Sequence, residues 1–137
     1  MTTPKKRGTN FEYRVAYLFE SFGYSWDRSG SSLGVDLKIY KKGNLKFLVS
    51  CKKTSTLKPI YLPKSEVKSL ETKSREMGAK ALVCFGFRRT PILGLPLKQV
   101  KNLPQSRLFY KLLPGDGKPL KKILRRETQK TVKAGGQ

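Results

Sequence analysis

The chain has 137 residues, which suffice for one compact domain with a hydrophobic core but not for two. Its 30 Lys and Arg residues outnumber 9 Asp and Glu residues, and the formal charge of +21 predicts a polyanionic partner, above all nucleic acid. Histidine is absent, which excludes a histidine general base, a Ser-His-Asp triad and imidazole metal ligands, so that catalysis must depend on carboxylate, lysine, serine or tyrosine side chains.

The N-terminal third predicts a basic arm, a helix and a short strand. Residues 1–8 are polar and basic, without periodicity, and predict a flexible arm. Thr9 and Glu12 have capping-box spacing, and the apolar residues that follow recur at helical intervals as far as Gly23. These apolar residues are Phe11, Val15, Leu18, Phe19 and Phe22. A strand is expected over 24–28, and residues 29–34 form a loop of mostly small residues.

The middle of the chain predicts a hairpin followed by a second helix. Apolar and polar residues alternate over 35–40, and Lys42-Gly43-Asn44 turns the chain into a strand over 45–53. Residues 54–61 are polar and loop-like. Pro63 suits the first turn of a helix that ends at Gly78, with one side formed by Val67, Leu70, Ser74 and Met77.

The remaining apolar runs, 79–87 and 107–113, predict two further strands. The element order αβββαββ indicates an α/β fold with a central mixed β-sheet flanked by helices. We therefore assign residues 9–117 to the domain and residues 118–137 to a basic C-terminal tail. From 118 to 133 this tail carries seven cations and one acid, which is typical either of a solvated face or of part of a polyanion-binding surface.

The cysteines and the lack of long apolar stretches indicate the compartment. Cys51 and Cys84 each lie in a strand-like run, and we interpret both as small buried hydrophobic residues rather than as nucleophiles or ligands. No signal peptide or membrane anchor is recognisable. The sequence thus predicts a cytoplasmic, nucleoid-associated protein without a membrane partner.

Three of the scarce acidic residues stand out by position, namely Glu12, Asp36 and Glu66. The two-residue period of a strand points Ser50 and Lys52 to one face, and the hairpin brings Asp36 beside them. Hydrolysis of a phosphodiester without histidine requires carboxylates that hold Mg²⁺ or Mn²⁺ and a cation near the developing charge. The alternative is an ordinary surface pair of Asp and Lys, and Glu20, Glu71 and Glu76 fit ordinary solvated helix positions.

Several motifs resemble the archaeal Holliday junction resolvases of the PD-(D/E)-x-K nuclease superfamily. They are Lys6-Arg7-Gly8 with Glu12, Arg28-Ser29-Gly30-Ser31-Ser32 with Val35-Asp36, the hairpin to Lys52, and Tyr61 before a helix. The resemblance covers roughly the first ninety residues. It implies a restriction-endonuclease-like core and a homodimer that cuts two strands of four-way junction DNA symmetrically. Glu12, Ser32, Asp36 and Lys52 match the functional positions of the family.

The chain departs from the family at Ser50, where the family has Glu two residues before its Lys. Serine provides no anionic metal ligand. One group of restriction endonucleases in the same superfamily also has Ser there, with the Glu fourteen positions beyond the Lys, which in this chain is Glu66. Glu66 is therefore either a migrated metal ligand or a solvated residue in the first turn of a helix.

We assign Asp36 as the central metal ligand, with Glu66 and the backbone carbonyl of Cys51 completing the shell. Lys52 is expected to orient water or offset charge, with Glu12 and Ser50 at the same site. Contacts to nucleic acid are predicted for Lys5, Lys6, Arg7, Arg28, Ser31, Ser32, Lys53, Lys58 and Lys64. The rival interpretation, from Ser50 and the charge, is an inactive nuclease fold that binds junction DNA or RNA as a structural or ribonucleoprotein subunit.

Overall fold

The computed structural model describes the backbone of residues 4–32 and 34–135 and the side chains of residues 10–28 and 34–129. The helices in these residues are α1 (Pro4–Ser21), α2 (Lys64–Met77), α3 (Leu97–Val100) and α4 (Leu120–Gly135). The strands are β1 (Ser25–Ser32), β2 (Val35–Lys41), β3 (Asn44–Lys53), β4 (Ile60–Pro63), β5 (Lys80–Gly86), β6 (Leu93–Pro96), β7 (Phe109–Leu112) and β8 (Lys118–Pro119). A 3₁₀ turn spans Pro114–Asp116.

Six strands form a central mixed sheet in the order β1-β2-β3-β5-β6-β8, and β4 pairs with β7 in a separate two-stranded sheet. The β3–β5 pair is parallel, whereas the other neighbours are antiparallel. A parallel pair requires a crossover, and α2 lies within it. The predicted α/β class, with a central mixed sheet flanked by helices, is confirmed.

Apolar side chains cover both faces of the central sheet because successive residues of β3 point to opposite sides. Phe47 and Val49 pack in one cluster with α1 and with Leu120 and Leu124 of α4. Leu48 belongs to the other cluster, which contains the buried residues of α2, α3 and the small sheet. The two clusters fix α1 and α2 on opposite faces of β3.

The predicted hairpin and the end of the second helix are confirmed. Lys42 and Gly43 adopt φ angles of 52° and 79° between β2 and β3, as a tight hairpin turn requires. Gly78 caps α2 in the left-handed conformation with φ of 66°. The predicted apolar side of α2 holds for Val67 and Leu70, which are buried, but not for Met77, which is 44% exposed.

The first helix begins earlier than predicted. It starts at Pro4, so Thr9 lies inside the helix and the predicted arm over residues 1–8 is wrong from Pro4 onward. Proline suits a first helical turn because its missing N–H has no partner there in any case. Strand β1 runs to Ser32, so most of the predicted loop over 29–34 is strand, paired with β2.

The predicted basic tail is also wrong, because β8 and α4 form within it. Leu120 and Leu124 are fully buried in the core, four residues apart on one helix face. Because most of the neighbouring residues are cations, these leucines were not recognisable from the sequence as the apolar face of a helix. The last predicted strand exists as β7, but it belongs to the small sheet with β4, and the sequence did not predict β4, β6 or α3.

The cysteines agree with their interpretation as small apolar residues. Cys84 is buried, Cys51 is half-buried, and neither forms a disulfide. Burial raises the pKa of both thiols, so neither favours the thiolate form. In the described part of the chain, every helix is too short or too polar to span a membrane.

Candidate active site

Strand β3 and the first turn of α2 bring the predicted lysine and one carboxylate together. Because Leu48 faces the α2 side of the sheet, alternation directs Ser50 and Lys52 to that side as well. Lys52 Nζ lies 2.8 Å from Glu66 Oε2, and both side chains are partly exposed. Ser50 is 5% exposed, so a side chain at position 50 is buried on the same face of β3 as Lys52.

Gly34 determines how closely the start of β2 approaches Glu66. Its φ is +86°, a conformation that residues with a side chain rarely adopt. A Cβ atom there would lie 3.0 Å from the Glu66 backbone oxygen and 3.4 Å from its Cβ. The glycine thus allows the residue before Val35-Asp36 to pack directly on the first turn of α2.

Asp36 lies in the half-buried part of β2, where the Cys51 amide donates a hydrogen bond of 2.7 Å to its Oδ2. Burial is the main cause that raises the pKa of Asp36, and the negative charges of Glu12 and Glu66 raise it further. The Cys51 hydrogen bond and the charge of Lys52 oppose this increase. Asp36 is therefore in electrostatic contact with Glu12, Lys52 and Glu66.

Glu12 lies on α1, where an arginine from β1 holds it. Arg28 Nη2 and Nε lie 2.9 and 3.0 Å from the same oxygen, Glu12 Oε2. The guanidinium also lies over the ring of Tyr13, 5.1 Å from its centroid. Two carboxylates near Asp36 are thus each paired with a cation, Glu12 with Arg28 and Glu66 with Lys52.

The oxygen ligands suit a hard divalent cation, and a cation beside Asp36 would offset the repulsion from Glu12 and Glu66 that raises its pKa. Among the described residues, however, no three Asp, Glu or Cys side chains lie close enough to form a ready-made metal site. In the ion pairs described above, Lys52 and Arg28 each contact only the Oε2 atom of their carboxylate, so a metal at Asp36 could be approached by the Oε1 atom of Glu66 or Glu12 without loss of the ion pair. The donor set fits Mg²⁺ or Mn²⁺ in chemistry, once these carboxylates lie closer to Asp36.

The predicted nucleic-acid contacts differ in their surroundings. Lys53 and Lys58 are exposed, and the Arg28 side chain is 40% exposed. Lys64 donates a hydrogen bond of 2.7 Å to Gln105 Oε1 and lies over the ring of Tyr110. The side chains of Lys5, Lys6, Arg7, Ser31 and Ser32 lie outside the described residues.

Sequence reasoning missed the residues that support the site through contacts between distant segments. Tyr13 follows Glu12 in the chain, but its role under Arg28 depends on the packing of α1 against β1. Gly34 belongs to the predicted loop of mostly small residues, and its close approach to Glu66 was not predicted. The chain contains a usable signal only for Gly34, a glycine directly before a buried strand.

Comparisons with known proteins agree with this architecture. Residues 3–132 match the family described as archaeal Holliday junction resolvase (Hjc). The crossover junction endodeoxyribonuclease Hjc of Methanocaldococcus jannaschii is 32% identical over 82 residues, which span 60% of this chain and 60% of that relative's length. The solved structure of Archaeoglobus fulgidus Hjc, a Holliday junction resolvase, has a similar fold with a TM-score of 0.72 at 21% identity, over 85% of this chain and 99% of that one.

Proposed function

Because the chain belongs to the archaeal Holliday junction resolvase family, we propose that it is an endonuclease that cuts four-way DNA junctions. The observation that carries this proposal is geometric: the Cys51 amide holds Asp36 against β3 beside Lys52, and Lys52 pairs with Glu66 in the first turn of α2. A carboxylate kept partly from water, with a second carboxylate and an ammonium beside it, suits phosphodiester hydrolysis.

We propose Mg²⁺ or Mn²⁺ as the cofactor, with Asp36 as the central ligand, Glu66 as the migrated second carboxylate and the Cys51 carbonyl as a further oxygen. Such a metal, when bound, polarises the phosphate and lowers the pKa of a water molecule. The Cys51 amide keeps one Asp36 oxygen in a defined direction. Glu66 would serve as a ligand through its Oε1 atom, while its Oε2 atom keeps the Lys52 ammonium beside the site.

Lys52, which Glu66 holds at the site, would orient the attacking water or offset charge that develops on the phosphate. Arg28 pairs with Glu12 through a side chain that is 40% exposed, so a phosphate could also reach its guanidinium. A phosphate that takes Arg28 would release Glu12 toward Asp36. Ser31 and Ser32 are proposed to contact the same phosphate backbone.

We further propose that the protein acts as a homodimer. A four-way junction must be cut in two strands to be resolved, and two copies would supply two equivalent sites. The formal charge of +21 supports a location beside DNA, within the nucleoid.

A junction-binding protein without cleavage activity is the second candidate. It is favoured by Ser50, which provides no anionic ligand. It is also favoured because Glu12 and Glu66 each form an ion pair with a cation, and the described residues contain no ready-made cluster of metal ligands. In that case the Arg28–Glu12 and Lys52–Glu66 ion pairs would only stabilise the fold, and the positive charge of the protein would bind DNA without cutting it.

The deciding experiment is cleavage of a labelled four-way junction with and without Mg²⁺, using the wild type and Asp36→Asn. We expect metal-dependent cleavage that Asp36→Asn abolishes while junction affinity stays within about twofold, because the change removes ligand charge but no bulk. Asp27→Asn, on an exposed residue of β1, is the matched control and should cut normally. A wild type that binds junctions but cuts nothing with Mg²⁺ or Mn²⁺ would establish the second candidate instead.

A further inference from the structure

The small sheet exposes an aromatic surface that the proposed catalytic residues do not explain. Tyr61 of β4 is 56% exposed and Phe109 of β7 is 38% exposed, with their ring centroids 6.3 Å apart. Leu108 beside them is 62% exposed. Leu62 and Leu112 lie on the opposite face of the same two strands and are buried in the core. We call the outward surface of Tyr61, Phe109 and Leu108 the aromatic face.

Cations flank the aromatic face. Lys111 is the cross-strand partner of Tyr61, and Arg107 precedes Leu108. Neither of these two cations forms an ion pair with a described residue. A second copy of this chain would bring like charges onto them, whereas a nucleic acid brings phosphates. Charge complementarity therefore favours nucleic acid as the occupant.

The aromatic face also adjoins the candidate active site along the chain. Strand β4 lies between Lys52 at the end of β3 and Glu66 in the first turn of α2. In space, the Lys64 amide at the start of α2 donates a hydrogen bond of 2.9 Å to the Leu108 carbonyl, so the aromatic face abuts the helix whose first turn carries Glu66. Where the arms of a four-way junction meet, terminal base pairs expose an aromatic surface that a continuous duplex covers by stacking. Aromatic side chains beside cations are the usual means of binding such bases.

We propose that Tyr61 and Phe109 stack on the bases at the branch point and so distinguish a junction from a continuous duplex. This inference rests on the proposed function, since it assumes that branched DNA binds at Asp36, Lys52 and Glu66. It assigns to the aromatic face the recognition of branching and to the cations the recognition of phosphate.

The test compares binding of the intact protein to a four-way junction and to a continuous duplex of equal length. Tyr61→Ala should weaken junction binding about tenfold, since base stacking on one aromatic ring typically contributes this much, and should leave duplex binding within about twofold. Tyr61→Phe should bind as the wild type does. Tyr61→Leu keeps apolar bulk on the sheet without a ring, so it should fold even if the alanine variant does not. It should show the same loss of junction binding, about tenfold, with unchanged duplex binding.

A junction with 2-aminopurine at the branch point gives a direct signal, because stacking quenches its fluorescence. The emission should be lower in the wild-type complex than in the Tyr61→Leu complex. Tyr40→Ala is the matched control, since Tyr40 is a partly exposed tyrosine at the opposite end of β2 from Asp36, and it should change neither affinity nor emission.

Three results would overturn the inference. Tyr61→Leu could bind junctions as tightly as wild type, or Tyr40→Ala could cause an equal loss. Alternatively, Tyr61→Leu could halve the molecular mass in sedimentation with unchanged emission, which would make the aromatic face an interface between copies. A protein that binds no junction at all would instead contradict the proposed function, so the two failures are distinguishable.

Discussion

The surroundings of Asp36 suit its proposed chemistry but lower the stability of the fold when its carboxylate is ionised. Burial and two neighbouring carboxylates raise its pKa, so the folded protein binds a proton there more readily than the unfolded chain does. This group therefore stabilises the fold fully only below its ordinary pKa of 3.8, and the contribution is lost as pH rises through the raised pKa. At neutral pH the ionised Asp36 is a cost that a bound cation would relieve.

The stability of Asp36→Asn tests this. The amide oxygen retains an acceptor for the Cys51 amide but carries no charge. We expect the variant to melt at a higher temperature than the wild type at pH 7 in the presence of EDTA, and expect the difference to shrink below pH 3.8. Thermal denaturation followed by circular dichroism across this pH range is the measurement. A lower melting temperature at pH 7 would mean that the hydrogen bond from the Cys51 amide outweighs the cost of burial and repulsion at Asp36.

Ser50 and Glu66 are, on our proposal, two positions for the same ligand oxygen. Glu66→Gln should lower the cleavage rate at least about tenfold, because loss of even an outer-sphere partner commonly costs that much. Adding Ser50→Glu to Glu66→Gln should restore part of the rate, since position 50 shares a face with Lys52. Glu76→Gln, an exposed residue of the same helix, is the control. A fully active Glu66→Gln protein would exclude the migrated ligand.

At the level of elements, local signals determined what the sequence could predict. The hairpin of β2 and β3 and the end of α2 at Gly78 follow from turn residues and alternation. These elements carry Asp36, Lys52 and Glu66, so most of the candidate site could be placed in advance. Strands β4 and β7 were not predictable as a pair, because each is short and their partners, such as Leu62 and Tyr110, lie far apart in sequence.

Helix α4 shows how charge conceals a core element. Leu124 is fully buried beside α1, so Leu124→Ala should lower the free energy of unfolding by about 2–5 kcal/mol. Arg125→Ala, on the next and exposed residue, should change it by less than about 0.5 kcal/mol. Urea denaturation measures both values. Equal and small effects would mean that residues 120–135 do not contribute to the fold in solution.

For the whole molecule, the formal charge of +21 predicts binding dominated by phosphate neutralisation. Junction affinity should fall log-linearly with salt. Replacing the exposed Lys121, Lys122, Arg125 and Arg126 of α4 by Gln should flatten the slope by about 0.9 for each cation that contacts duplex phosphate. Titrations at several salt concentrations give the slope. Affinity that is equal at low and high salt would contradict nucleic-acid binding, and an unchanged slope would show that α4 faces away from the DNA.

The parallel pairing of β3 with β5 has a consequence for the order in which the chain assembles. Asp36 and Lys52 lie on a local hairpin, whereas the β3–β5 pair joins Phe47 to Lys80 across the whole of α2. Non-local pairing is slow because the intervening segment must be ordered first. During synthesis we therefore expect the hairpin to form before α2 brings Glu66 into place, and pulsed hydrogen exchange should protect β2 amides earlier than β5 amides. A nascent chain would then bring Asp36, Lys52 and Glu66 together only after α2 has folded, and the pairing of β5 with β3 would fix this arrangement afterwards.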